Sequence, residues 1–145
     1  MLGLLHDIGR RYGKRHLGHV VDGCRYMLSL GYDEVARVCL SHSFNSHALA
    51  DYVGKRDTTP EETKLISDGL AGMVYDEYDR LIQLCDSLAG SDGVMDIIER
   101  MEDVRRRYGD YPQNKWDINF AIKAHFEALA GRDIYDIVGR PTAHK

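Results

Sequence analysis

Two side chains that ligate metals stand next to each other near the start of this chain, in Leu4-Leu5-His6-Asp7-Ile8-Gly9-Arg10. An imidazole and a carboxylate together suit a divalent transition ion such as Mn, Fe, Ni, Co or Zn. Successive residues on a helix point about 100° apart, so a helix interior would not aim both at one centre. At a helix end the backbone can turn, and Gly9 offers that turn because glycine tolerates the left-handed conformation that stops helices. The spacing therefore predicts an apolar helix that ends at His6-Asp7 and supplies half of a metal site.

Further ligand-type residues follow on separate segments: His16, His19, His42, His47 and Asp86. Asp86 lies in Leu81-Ile82-Gln83-Leu84-Cys85-Asp86-Ser87-Leu88, at the border of an apolar helical face, where an unpaired carboxylate is expensive. His42 falls at the end of a short helix, and His47 in the polar stretch after it. Ions held there would polarise a phosphoryl oxygen and lower the pKa of a bound water. A histidinium such as His42 or His47 could then donate the proton that an alcohol leaving group needs.

The Leu-Leu-His-Asp-Ile-Gly-Arg stretch resembles the signature of the HD superfamily of metal-dependent phosphohydrolases, in its His-Asp-Ile-Gly form. The order His6-Asp7, His19, His42, Asp86 is similar to that of its two-metal branch, which includes hydrolases of dinucleoside polyphosphates and of cyclic dinucleotides. The resemblance implies that Asp7 bridges two ions, with His19 and His42 on the second. In the mononuclear branch it implies a ligand set of a first histidine, His6, Asp7 and Asp86, with His19 and His42 left for phosphate binding or acid catalysis. His16, His47 and Arg10 are assigned to the substrate. The Gly-Tyr-Pro element of the cyclic-dinucleotide enzymes is missing, which argues against that substrate.

In the resembled family a helical region before the His-Asp pair carries the first histidine, and Met1-Leu2-Gly3-Leu4-Leu5 reads like the last turns of such a helix. Three alternatives stay open: an earlier start, a shortened chain, or a site with an incomplete ligand set. His16, His47 or a partner chain could complete it. Apolar surface around Leu2, Leu4 and Leu5 leads us to expect self-association.

The implied activity is hydrolysis of a phosphate ester bond in a small metabolite or nucleotide by metal-activated water. Asp7 and His42 would be the catalytic groups, and one or two ions the cofactor. The alternative is a catalytically weak HD domain that binds a nucleotide or a protein.

Helices must position these residues. Val20, Cys24, Met27 and Leu28 recur at helical spacing, and Gly23 shares the face of His19, allowing close approach of another helix. Asp33 caps a helix over 34–42, and Thr59-Pro60-Glu61-Glu62 is a capping box with proline at the first position. A helix over 75–89 has Tyr78, Leu81, Ile82, Cys85, Leu88 and Ala89 as its apolar face. Ser91 or Asp92 caps the next helix, whose apolar members are Val94, Ile97, Ile98, Met101 and Val104. That helix ends in Arg105-Arg106-Arg107 and Gly109, read as complementing the helix dipole. A long helix over 115–130 carries Trp116, Phe120, Ile122, Phe126 and Leu129. Asp133 caps a last turn, and the tail with His144 is expected to be disordered.

No segment alternates at period two, so the chain reads as all-α: a multi-helix HD-domain bundle, one domain over 1–145, with the motifs in 4–89 and further helices in 91–138. Net charge is -4, with 43% hydrophobic and 29% charged residues, which disfavours a nucleic-acid polymer as partner. No apolar run approaches the roughly 20 residues that span a bilayer. Cys24, Cys39 and Cys85 read as reduced core residues, giving a cytoplasmic expectation.

Overall fold

The computed structural model describes residues 1–141; His144 lies outside them. The described residues form eight α-helices and no strand. The short α1 (Leu2–Leu5) runs into a 3₁₀ turn (Ile8–Tyr12), so His6 and Asp7 sit where one helix type gives way to another. Then come α2 (Gly18–Ser29), α3 (Asp33–Ser41), α4 (Pro60–Ala71), α5 (Glu77–Leu88), α6 (Ile97–Tyr108), α7 (Gln113–Ala130) and α8 (Tyr135–Val138). No helix here is long and apolar enough to cross a membrane.

Two apolar cores divide the molecule. The first joins α2, α3 and α4 through Val20, Val21, Cys24, Val35, Cys39, Ile66 and Leu70, with Leu2, Leu5 and Ile8 packed on it. The second joins α5, α6 and α7 through Leu84, Leu88, Ile97, Met101 and Ile122. Polar contacts stitch them together. Asn45 Nδ2 donates to Asn119 Oδ1 at 2.7 Å and to the Lys115 carbonyl at 3.1 Å. Arg37 holds the buried Asp79 carboxylate with two nitrogens at 2.6 and 2.7 Å, and Arg80 donates to the Asn45 carbonyl at 2.8 Å.

The capping box at Thr59 and Glu62 forms as expected. Glu62 does more than cap: buried, it also receives Arg15 at 2.7 and 3.2 Å and Arg25 at 3.3 Å. The hydrogen bond from Arg15 and that from the Thr59 amide outweigh burial and hold the Glu62 carboxyl below its ordinary value. Its stabilisation is thus present above pH ~4.5 and is lost as pH falls through the lowered native value. Glu62→Gln is expected to lower stability by about 2 kcal/mol at pH 7. Urea melts at pH 7 and pH 3.5 should show the gap to the parent shrinking at the acid end.

Several local expectations are corrected. Asp33 starts α3 in its first turn while Tyr32 is the cap, without a side-chain bond. α6 begins at Ile97 behind Asp96, which accepts from the Ile98 and Glu99 amides; Ser91 and Asp92 lie in the loop before it. The buried face of α5 is rotated from the apolar one. Asp79, Ile82, Gln83, Leu84 and Leu88 face inward, while Tyr78 and Cys85 are exposed. The cause is polar: Asp79 is drawn in by Arg37, and Gln83 faces the Ser41 carbonyl at 3.5 Å. The outward residues instead flank Met1, Leu2 and His6 in a shallow groove of about 270 Å³. Ile98 and Leu129 are exposed as well. Cys24 and Cys39 are buried and all three cysteines are free.

Candidate metal centre

Four helix ends converge between the two cores. His6 and Asp7 arrive from the end of α1, His19 from the first turn of α2, His42 from the C-terminus of α3, and Asp86 from the last turn of α5. Each is held by its own local chemistry.

Gly9 brings the His-Asp turn down onto α2. Its role is space: a Cβ there would overlap the His19 carbonyl oxygen and lie 2.6 Å from the Gly23 nitrogen. Gly23 is the matching gap, with a Cβ on it meeting Cys39 Sγ at 3.1 Å and Gly9 N at 3.2 Å. The 3₁₀ turn and α2 therefore cross at backbone contact distance, with the Cys39 side chain of α3 packed against the crossing, and a left-handed glycine at position 9 is not used; its φ is not among the positive ones.

The N-terminus of α2 has no cap of its own. Asp57 supplies it from the distant loop before α4, accepting from the His16 amide at 2.7 Å and the Gly18 amide at 2.9 Å. Arg15 is clamped alongside by Asp22, Glu62 and the Asp57 carbonyl. These contacts satisfy orphan amides and set where His19 starts its helix.

The three histidines repeat one pattern. His6 Nδ1 faces the Gly3 carbonyl at 2.6 Å, His19 Nδ1 faces the His16 carbonyl, and His42 Nδ1 faces the Cys39 carbonyl at 2.9 Å. A carbonyl only accepts, so each Nδ1 carries the hydrogen, and Nε2 of each neutral ring is a lone pair. This is the tautomer by which histidine ligates metal through Nε2.

The Nε2 atoms point inward. His19 Nε2 lies 3.2 Å from His42 Nε2 and 3.1 Å from Asp7 Oδ1; His42 Nε2 is 3.7 Å from that same oxygen. Asp7 Oδ1 is itself buried without a hydrogen bond. His6 Nε2 stands 3.7 Å from Asp86 Oδ1. Ligand atoms of His6, Asp7 and His42 fall within 4.8 Å of one another. Acceptors crowded this way repel unless a proton or a cation lies among them. Two donors about 2.1 Å from a common ion stand about 3.0–3.4 Å apart, which the His19–His42 and His19–Asp7 separations match. The residues present thus fit a transition-metal ion by donor type and by spacing.

The electrostatics point the same way. Burial pushes the Asp7 carboxyl up, but His19, His42 and Arg10 outweigh it, so Asp7 stays ionised far below the ordinary range. Burial likewise opposes ionisation of Asp86, and the nearby His6 and His42 rings reverse that effect. Burial pulls the His42 ring down to about 4, keeping it neutral at pH 7. Burial lowers His6 too, yet Asp86, the Gly3 carbonyl and Asp7 more than compensate and leave it above its usual value. Carboxylates that favour a proton on His6 Nε2 favour a divalent ion in the same place.

Beside the centre opens a cavity of about 640 Å³. His19, His42, Asp86, Arg10 and His16 all line it. Arg10 is also paired with Asp7 at 3.1 Å. His47 lies elsewhere: its ring stacks on Tyr75 at 3.6 Å and its φ is 59°. Its lining also includes residues that carried no motif, namely Arg100, Tyr108, Tyr111, Lys115 and Asn119 on and around α6 and α7. Of the Arg105-Arg106-Arg107 run, Arg105 and Arg106 pair with Glu102 and Asp103 on their own helix, whereas Arg107 also reaches the cavity. The helical periodicity of α7 is visible in sequence; that Lys115 and Asn119 face a cleft is not, because a lone lysine and asparagine on an amphipathic helix read as solvent-facing.

An all-helical fold that gathers two histidine-bearing helix ends around an adjacent His-Asp pair is the architecture of a histidine-aspartate metal domain. The model of the HD domain family matches residues 1–91, and the chain belongs to that family. HD domains bind metals and are generally phosphohydrolases of phosphorylated compounds. No curated protein and no solved structure matches the chain.

Proposed function

We propose that this protein is a metal-dependent phosphohydrolase that cleaves a phosphate ester bond of a small metabolite or nucleotide. The observation that supports it most is the convergence of His19 Nε2, His42 Nε2 and Asp7 Oδ1, three lone-pair atoms within 3.7 Å. His6, Asp7, His19, His42 and Asp86 would hold one or two divalent ions. Asp7 is the residue placed to share both histidine groups, since it lies in sequence beside His6 and in space beside His19 and His42.

Bound divalent ions would polarise a phosphoryl oxygen and make water a nucleophile at neutral pH. The chain's own residues do the rest. Asp7 stays ionised and sets the charge of the centre. His42, neutral through burial, suits ligation better than the acid role. The Nδ1–carbonyl bonds of all three histidines fix ring orientation, so no reorganisation is needed when substrate arrives. Arg10 and His16, which line the cavity, would receive the outer oxygens of a phosphate.

The test is hydrolysis of a panel of sugar phosphates, nucleoside monophosphates and p-nitrophenyl phosphate with Mn, Fe, Ni, Co or Zn added singly. Release of inorganic phosphate, abolished by EDTA and restored by one of these metals, is expected. No turnover with any metal, in a protein that binds metal stoichiometrically, would refute the enzymatic reading.

A further inference from the structure

The cavity has more positive charge than the one carboxylate in its lining, Asp86, can balance. Its cations differ in how they are held, and Lys14 is exposed to solvent. Arg10 and Arg15 are engaged by Asp7 and by Asp22 and Glu62, and Arg107 by Asp103 at 2.8 Å. Arg100 and Lys115 are different. Arg100 meets Asp103 only at 3.8 Å through one terminal nitrogen, and its Nε is buried with no hydrogen-bond partner. Lys115 is 8% exposed, yet no carboxylate pairs with it among the described residues. Its Nζ donates to the Ser43 carbonyl at 3.3 Å and lies 5.7 Å from the centre of the Tyr111 ring.

A buried ammonium without an anionic partner is expensive, and so is a buried guanidinium nitrogen without an acceptor. Asp51 and Asp86 act on Lys115 only across space, as Asp86 does on Arg100, and no carboxylate among the described residues comes closer to either than the 3.8 Å Arg100–Asp103 contact. An anion entering the cavity is what would balance them. Arginine forks and lysine point charges are the usual partners of phosphate oxygens.

We propose that Arg100 and Lys115 form an anion subsite, separate from the metal centre, that holds a second oxyanion group of the substrate. This rests on the reading of the metal centre as the hydrolytic one and narrows its substrates. The favoured ones carry two anionic groups, such as a sugar bisphosphate or a nucleoside bisphosphate, rather than one. A cavity of about 640 Å³ holds such a molecule. Burial pulls the Lys115 ammonium down to about 8, the state of a cation that lacks its counter-ion. Arg100 and Lys115 lie outside the stretch that the HD family model matches, so substrate selection would reside in α6 and α7 while the chemistry resides in the HD part.

The experiment has a binding arm and a turnover arm. In EDTA, calorimetric titration with inorganic pyrophosphate reads the subsite without any reaction. The parent is expected to bind, and Arg100→Gln and Lys115→Gln each to weaken it at least tenfold. Lys115→Arg should retain most of the affinity, and Arg105→Gln, whose charge is spent on Glu102, should leave it unchanged. In the metal-loaded protein, fructose 1,6-bisphosphate is compared with fructose 6-phosphate, and adenosine 3′,5′-bisphosphate with AMP. The bisphosphates should have lower KM, and Arg100→Gln should erase that advantage. Should Lys115→Gln unfold, Arg100→Gln and Lys115→Arg still decide the matter. Equal pyrophosphate affinity in parent and Arg100→Gln overturns the subsite, as does an absence of binding to the parent or binding of inorganic sulfate just as tight. Binding that depends on Arg100, in a chain that hydrolyses nothing, sustains the subsite and refutes only the hydrolase reading.

Discussion

Asp7→Asn is expected to lower phosphate-ester hydrolysis on the order of 10³-fold or more while the fold persists. The change is nearly isosteric, so the packing of the 3₁₀ turn against α2 is retained. What goes is the charge. Asp7 Oδ1 is the atom that His19 Nε2 and His42 Nε2 both approach, and an amide cannot neutralise a divalent ion between them. An electrostatic loss of about 4 kcal/mol in the transition state corresponds to that rate factor. The loss should appear in kcat at saturating metal, and far-ultraviolet circular dichroism should match the parent. Activity within tenfold of the parent would mean that Asp7 is not at the reacting centre.

Gly9→Ala is expected to damage the same site by a different route. The added methyl has no room, because the atoms it meets are backbone of α2: the His19 carbonyl and the Gly23 amide. A flexible side chain could rotate away; two crossing backbones cannot. Relief requires the His6-Asp7 turn to lift off α2, which moves Asp7 away from His19. Overpacking of this kind destabilises by about 3 kcal/mol, or roughly a 10 °C fall in Tm for a chain of this size. Metal affinity should fall with it. Thermal melts with and without added metal check both parts: the variant should melt lower and gain less from metal. A parent-like Tm would show that the crossing is looser than the 2.6 Å approach to the Gly23 nitrogen indicates.

The contrast between these substitutions shows which parts of the molecule were legible in the sequence. His6-Asp7 and the glycine after it stood out because rare residue types sit side by side in an apolar setting. His19, His42 and Asp86 could be placed in order on separate helices, and the capping box at Thr59 and Glu62 announced α4. The reason for Gly9 was not legible: a residue can be glycine for its φ or for its lack of a Cβ, and only the crossing with Gly23 distinguishes them. Asp57 was invisible as the cap of α2 because it lies 39 residues from Gly18. The rotation of α5 was misjudged because hydrophobicity alone oriented it, whereas the bidentate Arg37–Asp79 pair turns it. The basic wall of the cavity escaped notice for a similar reason. Arg100 and Lys115 are spaced like any other helix residues, and what sets them apart, a buried Nε without an acceptor on one and a buried ammonium without a carboxylate on the other, exists only once the two cores are packed together.

The most direct measurement is the metal content of the purified chain by elemental analysis, after growth with Mn, Fe, Ni, Co and Zn available, beside an Asp7→Ala control. The expected result is at least one transition-metal ion per chain in the parent and a large loss in the control, with both proteins folded. A parent that carries no ion and takes none up on reconstitution, while its helical content is intact, would contradict the assignment of His6, Asp7, His19, His42 and Asp86 as a metal centre.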